Sequence, residues 1–377
     1  MKTIPQELLV NILSRLPAKS IARCRCVWKP WRCLLSEAHF IKAHLDRTKE
    51  FIYNGLLMLI SSESNTMYRA SISYNSLSEI SALATELSFA VSLGFRNEGI
   101  PSCNRLMLIE DGTDKRLLVN PTTKEVRALP VSPYALDPRA SFTMYGLEYD
   151  HVSMYGLGYD HVSDDYKVVT LSYYYTDKHE LDSEMFVNVY SVRSGTWKKG
   201  ESSPYDHAVG HVISGVFFGG RIHWLARRTS DHSSVIVGFD LTEEKFHEVP
   251  APSSIDGHNF VYNRLVVLGG CLSIFPSWTL KETDVWMLKE YGVKQSWTKF
   301  SIPHDESDFT PLVFMAGQRE VVVVKDERTF YEKLVMYNLD SATFKDITVN
   351  GIDEFLVGGS FTETLVSPYH NHEAQRE

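Results

Sequence analysis

FVNVYSVRSGTWKKG, residues 186–200, reads as two short strands joined by a tight turn. An apolar, aromatic-rich run leads to Ser191, a residue that suits a turn's first position because its side chain bonds the next backbone amides. A second short strand follows and carries Trp197. The same phrase recurs along the chain. It is found as YRASISYNSLSEI from Tyr68, LLVNPTTKEVRALP from Leu117, VIVGFDLTEEKFHEVP from Val235, DVWMLKEYGVKQSWTKF from Asp284 and KLVMYNLDSATFKDI from Lys333. In most copies Asn120, Ser191, Asp240 or Asn338 opens the turn. Val126, Trp197, Phe246, Trp297 or Phe344 follows about six or seven residues later.

The copies are spaced by about 47 to 50 residues, except one interval of about 70. Between them lie further apolar runs, most with a Gly-rich turn: YGLGYDHVSDDYKVVTLSYYY, GVFFGGRIHWLA, LVVLGGCLSIF and LVFMAGQREVVVV. A hairpin plus such a pair makes about four strands per unit, the content of a propeller blade. The expected fold is therefore mainly β, with a six-bladed β-propeller. The first unit is the weakest, and EFLVGGSFTETLVSP near the C-terminus is expected to supply its closing strand, which would remove an exposed sheet edge.

The long interval holds a tandem duplication. MYGLEYDHVS at 144–153 is followed by MYGLGYDHVS at 154–163, differing only at Glu148 against Gly158. Only the second copy continues into the next strand pattern. The first reads as a local insertion that extends a hairpin or loops out, and ten residues, an even number, keep strand alternation in register. A metal site from Asp150, His151, Asp160 and His161 is the weighed rival; mixed Asp/His clusters near turns are common without metal, so no metal is expected.

Ahead of the β region the periodicity is helical. In IPQELLVNILSRL, residues 4–16, Leu8, Leu9, Ile12, Leu13 and Leu16 form one stripe. Pro5 suits a helix start, and Pro17 bars the helix from continuing. A second helix is expected from Ser20 as N-cap, with Ile21, Cys24, Val27 or Trp28, Trp31, Leu34 and Leu35 as its apolar positions. Pro30 interrupts it and marks the first turn of a third helix. Three short helices in about 45 residues sit near the limit for independent folding. Their apolar residues either pack on the larger domain or form a docking surface for a partner.

The order IPQELLVNILSRLPAKSIARCRCVWKPWRCLLSEAHFIKAHL resembles the F-box of plant F-box proteins along its length, with Trp28 and Pro30 standing where small polar residues are expected. The repeat phrases, NPTTKEVRALP, YGLGYDHVSDDYKVV, VYSVRSGTWKK, GGRIHWLA and DVWMLKEYGVKQSWTKF, resemble the F-box-associated domain in their typical order. Pro101 and Arg105 depart from that pattern and predict a disturbed strand. The expected division is a three-helix F-box at 1–47, the propeller at 48–370 and a polar tail at 371–377. The resemblance implies docking onto a Skp1-type adaptor, and through it onto a cullin-RING ubiquitin ligase. The contact set it carries over is Ile4, Pro5, Leu8, Ile12, Leu16, Pro17, Val27 and Trp31. Each of these could instead be buried in the head's own core. The resemblance extends to S-locus F-box receptors for secreted ribonucleases and to defence-repressing F-box proteins that turn over immune receptors, with DVWMLKEY inclining toward the latter.

Charge and chemistry narrow the classes. The net charge of −9 argues against a nucleic-acid partner, yet residues 1–47 carry nine Lys/Arg against three Asp/Glu. A basic head on an acidic body fits an acidic protein partner. No run of 18 apolar residues occurs, the N-terminus lacks a signal-peptide pattern, and no membrane insertion is expected. The five cysteines, Cys24, Cys26, Cys33, Cys103 and Cys271, are odd in number and scattered, which reads as reduced thiols in the cytoplasm or nucleus. There is no HExxH, GxSxG or phosphate-binding loop. His223 reads as a satisfied strand residue. No cofactor is expected. Two functions stand: a non-catalytic substrate receptor of a ubiquitin ligase, and a propeller enzyme with a helical head, which would need convergent ionisable groups with shifted pKa values. The substrate-binding candidates are Tyr173, Tyr174, Tyr175, Arg227 and Arg228, together with the loop at 253–259, facing an unknown protein.

Overall fold

The computed structural model of the chain describes residues 5–48, 56–74, 79–87, 100–111, 115–134, 141–144, 147–150, 153–173, 185–207, 214–252, 263–276, 282–303, 308–315, 317–326, 332–360 and 362–369. The head has four helices where three were expected: α1 (Gln6–Leu13), α2 (Ala18–Val27), α3 (Lys29–Ser36) and α4 (Ala38–Thr48). Glu37 takes an extended backbone that ends α3, and α4 then buries Phe40, Ile41, His44 and Leu45 along one face. Helix α2 starts two residues before Ser20. Extended Pro17 is its N-cap, and the Pro17 carbonyl accepts the amides of Ser20 and Ile21. Pro30 lies in the first turn of α3, where its missing N–H has no partner to lose.

Six antiparallel units follow among the described residues, five of four strands and one of five. The first contains β1 (Leu56–Ser61), β2 (Met67–Tyr74) and β3 (Ile80–Glu86); the second is β4 (Ser102–Cys103), β5 (Leu106–Glu110), β6 (Arg116–Asn120) and β7 (Glu125–Ala128). After a separate hairpin of β8 (Ser141–Met144) and β9 (Leu147–Asp150), the third is β10 (Ser153–Asp160), β11 (Asp165–Tyr173), β12 (Met185–Ser191) and β13 (Thr196–Lys199). The fourth combines β14 (Tyr205–Asp206) and β15 (Val216–Phe218) on one side of β16 (Arg221–Arg228) with β17 (Ser234–Asp240) and β18 (Phe246–Val249) on the other. The fifth is β19 (Asn263–Leu268), β20 (Cys271–Pro276), β21 (Glu282–Leu288) and β22 (Trp297–Pro303). The sixth is β23 (Asp308–Phe314), β24 (Glu320–Asp326), β25 (Glu332–Asn338) and β26 (Thr343–Asn350). Then β27 (Phe355–Ser360) returns to pair with β1 and completes the first unit in the order β27-β1-β2-β3, the closing role expected of it. The outer strands β26 and β3 also pair, in parallel, from Ile347 beside Ile80 to Asn350 beside Leu83.

The recurring phrase is the third and fourth strand of every unit. Its turn works as the Asx and Ser residues require. Asn120 Oδ1 accepts the amides of Thr122 and Thr123, Asp240 Oδ1 those of Thr242 and Glu243, and Asn338 Oδ1 those of Asp340 and Ser341. Ser191 Oγ accepts the amide of Ser194. Four residues after each opener the backbone turns left-handed, at Lys124, Gly195, Glu244 and Ala342. The disturbed strand expected near Pro101 is the two-residue β4, joined to β5 by Asn104 and Arg105 at φ 47° and 70°, the signature of a tight hairpin turn with both central residues left-handed.

Apolar packing runs around the ring. Successive clusters join the first unit to the second, the third to the fourth, the fourth to the fifth, the fifth to the sixth, and the sixth back to the first. Between the second and third units the cluster continues into the head: Leu13, Ile21, Leu35, Phe40, Ile41 and Leu45 share it with Leu106, Leu118, Leu157 and Tyr190. The head is thus seated on the propeller, not tethered beside it.

The duplication resolves on packing. The second copy forms β10 inside a unit, whereas the first contributes β9 to the separate hairpin. The second copy runs directly into β11, its hairpin partner, and the one differing residue fits that placement. A Cβ at Gly158 would lie 2.4 Å from Leu241 Cδ1 and 2.8 Å from Phe217 Cδ2, so the glutamate of the first copy has no room in the blade.

Candidate protein-docking surfaces

Helix α1 splits the apolar stripe that the sequence reads as one. Leu13 is buried, and Leu9 and Leu16 pack partly against the head's core. Leu8 and Ile12, one turn apart on the other side, stay 53% and 57% exposed. Pro5, the N-cap, and Pro17 are exposed as well. At the end of α2, Val27 is 74% exposed, while Trp31 on α3 packs partly against the core. Ile4 lies outside the described residues. Trp28, which departs from the family pattern, adds to this surface. It is 58% exposed and meets the Trp31 ring edge-on at 6.5 Å between centroids. The break at Trp28 between α2 and α3, ahead of Pro30, turns its indole outward; that break was the readable signal.

The basic residues of the head divide in the same way. Arg25 donates two bonds to the Leu35 carbonyl and Arg47 one to the Asn11 carbonyl, so both brace helix ends. Arg15, Lys19, Arg23, Lys29, Arg32 and Lys42 are exposed. Open apolar side chains with a cationic surround suit a partner that is apolar at the contact and acidic at its rim.

On the propeller the substrate candidates scatter. Tyr173 ends β11; Tyr174, Tyr175 and the loop at 253–259 lie outside the described residues. Arg227 is half-buried on β16 opposite Asp206 and Ser234. Arg228 grips Glu248 with two bonds of 2.8 and 2.6 Å and also bonds Ser233. That guanidinium is occupied within its own blade, by a carboxylate on a strand two places away that linear reading could not pair with it.

Shifted titrating groups among the described residues brace blades. His223 is buried, with Nδ1 donating to the Val216 carbonyl at 3.2 Å and Nε2 accepting from Tyr291 Oη at 2.8 Å. Burial holds it down at about 4, against a smaller upward pull from the Val216 carbonyl. Lys167 joins the third and fourth units through the Leu241 carbonyl (2.6 Å), Asp160 (3.0 Å) and Glu244 (3.2 Å). Burial opposes the charge on Asp160, but bonds from Ser163, Thr242, Lys167 and the Val162 amide hold its carboxyl well below the usual range. This aspartate, one of the weighed metal ligands, is therefore saturated, and the described residues contain no group of three or more ligands able to hold a metal. Tyr155 donates to Glu110 at 3.2 Å and is pushed up to about 12 by burial and by that carboxylate.

The sequence that builds this helical head and ring of sheets has matching relatives. Residues 1–46 match the F-box-like family and residues 55–372 match the F-box associated beta propeller domain. F-box protein CPR1 of Arabidopsis thaliana is 30% identical over 93% of this chain and 85% of its own length. An F-box/kelch-repeat protein of the same plant is 30% identical over 97% of this chain and 96% of its own. The chain belongs to the F-box proteins with an F-box-associated β-propeller domain.

Proposed function

We propose that this protein is the substrate-recognition subunit of a Skp1–cullin–F-box ubiquitin ligase: the head docks on a Skp1-type adaptor and the propeller holds a protein for ubiquitination. One observation carries the reading. Leu8, Ile12, Val27 and Trp28 stand open to solvent on a head whose Leu13, Ile21, Leu35, Phe40, Ile41 and Leu45 are buried in a core shared with the propeller. An apolar side chain left out of an available core costs about 1.5–3 kcal/mol of forgone burial, and the docking partner recovers it. The receptor performs no bond chemistry; it raises the effective concentration of a substrate lysine beside a ubiquitin-loaded enzyme. The shifted groups described above, braced inside and between blades, offer no support for the propeller-enzyme reading. DVWMLKEY makes an immune receptor the substrate class to test first, ahead of a secreted ribonuclease.

The test is a pull-down with a Skp1-type adaptor. Leu8→Asp, Ile12→Asp and Val27→Asp together are expected to weaken capture at least about 100-fold, as loss of hot-spot anchors does, while the melting temperature stays within a few degrees because all three are exposed. Undiminished capture by the triple variant would overturn the assignment.

A further inference from the structure

Past β27 the chain lies along the second unit and reaches the head. Asn120 Nδ2 donates to the carbonyls of Thr364 (3.2 Å) and Val366 (2.5 Å), and the Thr364 amide donates to Thr122 Oγ1 (3.0 Å). Ser367 donates to Glu125, Arg127 donates to the Pro368 carbonyl, and Tyr369 Oη donates to the Val126 carbonyl at 2.6 Å. Residues 362–369 are thereby laid along the β6–β7 hairpin. Leu365 and Val366 are buried in the same apolar cluster as Leu13, Ile21, Leu35 and Phe40 of the head. The Glu363 carboxylate lies 3.5 Å from Lys19 on α2 and 2.5 Å from Arg69 on β2. Around it a cavity of about 200 Å³ is lined by Lys19, Arg69, Glu86, Lys124 and Glu363, so this junction is polar on one side and apolar on the other.

Eight residues therefore touch the head, the first unit and the second unit at once, and they come from the end of the chain opposite the head. We propose that residues 362–369 are a strap that locks the head onto the propeller at one angle. Given the ligase-receptor function proposed above, that angle sets where a captured protein is held relative to the adaptor. The two apolar anchors carry most of the hold, because the partly exposed Lys19–Glu363 pair is worth little by itself. The pair matters for orientation: a cation at 363 would face Lys19 and Arg69 together.

The experiment uses the full chain with spin labels at Cys26 and at Val131→Cys, in a background of Cys24→Ser, Cys33→Ser and Cys271→Ser that leaves only the buried Cys103 besides. Distances between the labels report the angle of the head on the propeller. Leu365→Ser with Val366→Ser is expected to broaden the distance distribution at least about twofold, as a freed rigid body does, with the propeller's cooperative melting retained. Should that variant fail to fold, Glu363→Lys decides: it is expected to broaden the distribution, and Lys19→Glu added to it to narrow the distribution again. Unchanged widths in the variants that fold overturn the strap. Adaptor pull-down is measured on the same proteins. Its absence in the unaltered chain would sink the ligase reading and leave the distance result standing.

Discussion

His207 and His223 sit in the fourth unit with their rings wholly out of water. His207 Nε2 meets Ser203 Oγ at 2.9 Å, and the rings of Trp224 and Phe246 flank it. Burial holds His207 down at about 3 and His223 at about 4, against an ordinary 6.5, and burial lowers His44 in the head as well. A histidine whose folded pKa is depressed binds its proton more readily when unfolded. Its stabilising contribution is complete above 6.5 and falls as pH drops from 6.5 toward the folded value. Between pH 6.5 and pH 5 each of the two buried rings is expected to cost about 2 kcal/mol of stability. Denaturant melts at pH 7.5, 6.5, 5.5 and 5.0 check this; a flat profile contradicts neutral buried rings. Asp160 acts in a lower window, because a carboxyl held below its ordinary 3.8 loses its contribution only as pH falls beneath that value. Sequence alone placed His223 in a strand with its needs met. It could not mark His207, whose neighbours Ser203, Trp224 and Phe246 meet it only after β14, β16 and β18 assemble.

The elements are set by turns and close contacts. Asn120, Asp240 and Asn338 were legible as turn openers because their chemistry is local. The left-handed residue four places on was not legible: Lys124, Glu244 and Ala342 fill it where glycine does so only at Gly195. The duplicated strand shows the limit more sharply. Two ten-residue segments with one difference have nearly the same strand propensity, yet one enters a blade and the other pairs apart. The second copy leads straight into β11, and at Gly158 Leu241 and Phe217 occupy the space a side chain would need. Gly158→Ala is expected to destabilise by about 1–3 kcal/mol through overpacking, and Gly158→Glu by more, since it adds a larger side chain and buries a charge. Calorimetric melting measures both. A Gly158→Glu protein as stable as the parent would show that the copies are interchangeable.

At the scale of the whole molecule the ring is closed twice, by β27 on β1 and by β26 beside β3. Without β27 the first unit loses a full strand of hydrogen bonds and an edge opens along β1, whose Leu57, Met58 and Leu59 are fully buried. A chain ending at Asp353 is therefore expected to lose its cooperative melting transition. A chain ending at Ser360, which keeps β27 and lacks the strap, is expected to melt cooperatively at a lower temperature. Equal behaviour of the two truncations would deny β27 its closing role. The head belongs to this scale too, since its buried leucines share a core with the second and third units.

What the amino-acid order determined by itself was everything periodic or local. The helical stripe, the spacing of the repeat, the turn openers and the strand that closes the first unit depend on contacts a few residues apart or on a repeat that echoes along the chain. Only the tertiary structure decided which faces of that stripe are used: Leu13 goes inward and Leu8 and Ile12 stay out, because the propeller and the strap cover one side of the head and leave the other open. It also decided which of two nearly identical segments becomes a blade strand and that Arg228 is spent on Glu248. These outcomes turn on side chains brought together from distant parts of the chain, and a linear pattern holds no record of that distance.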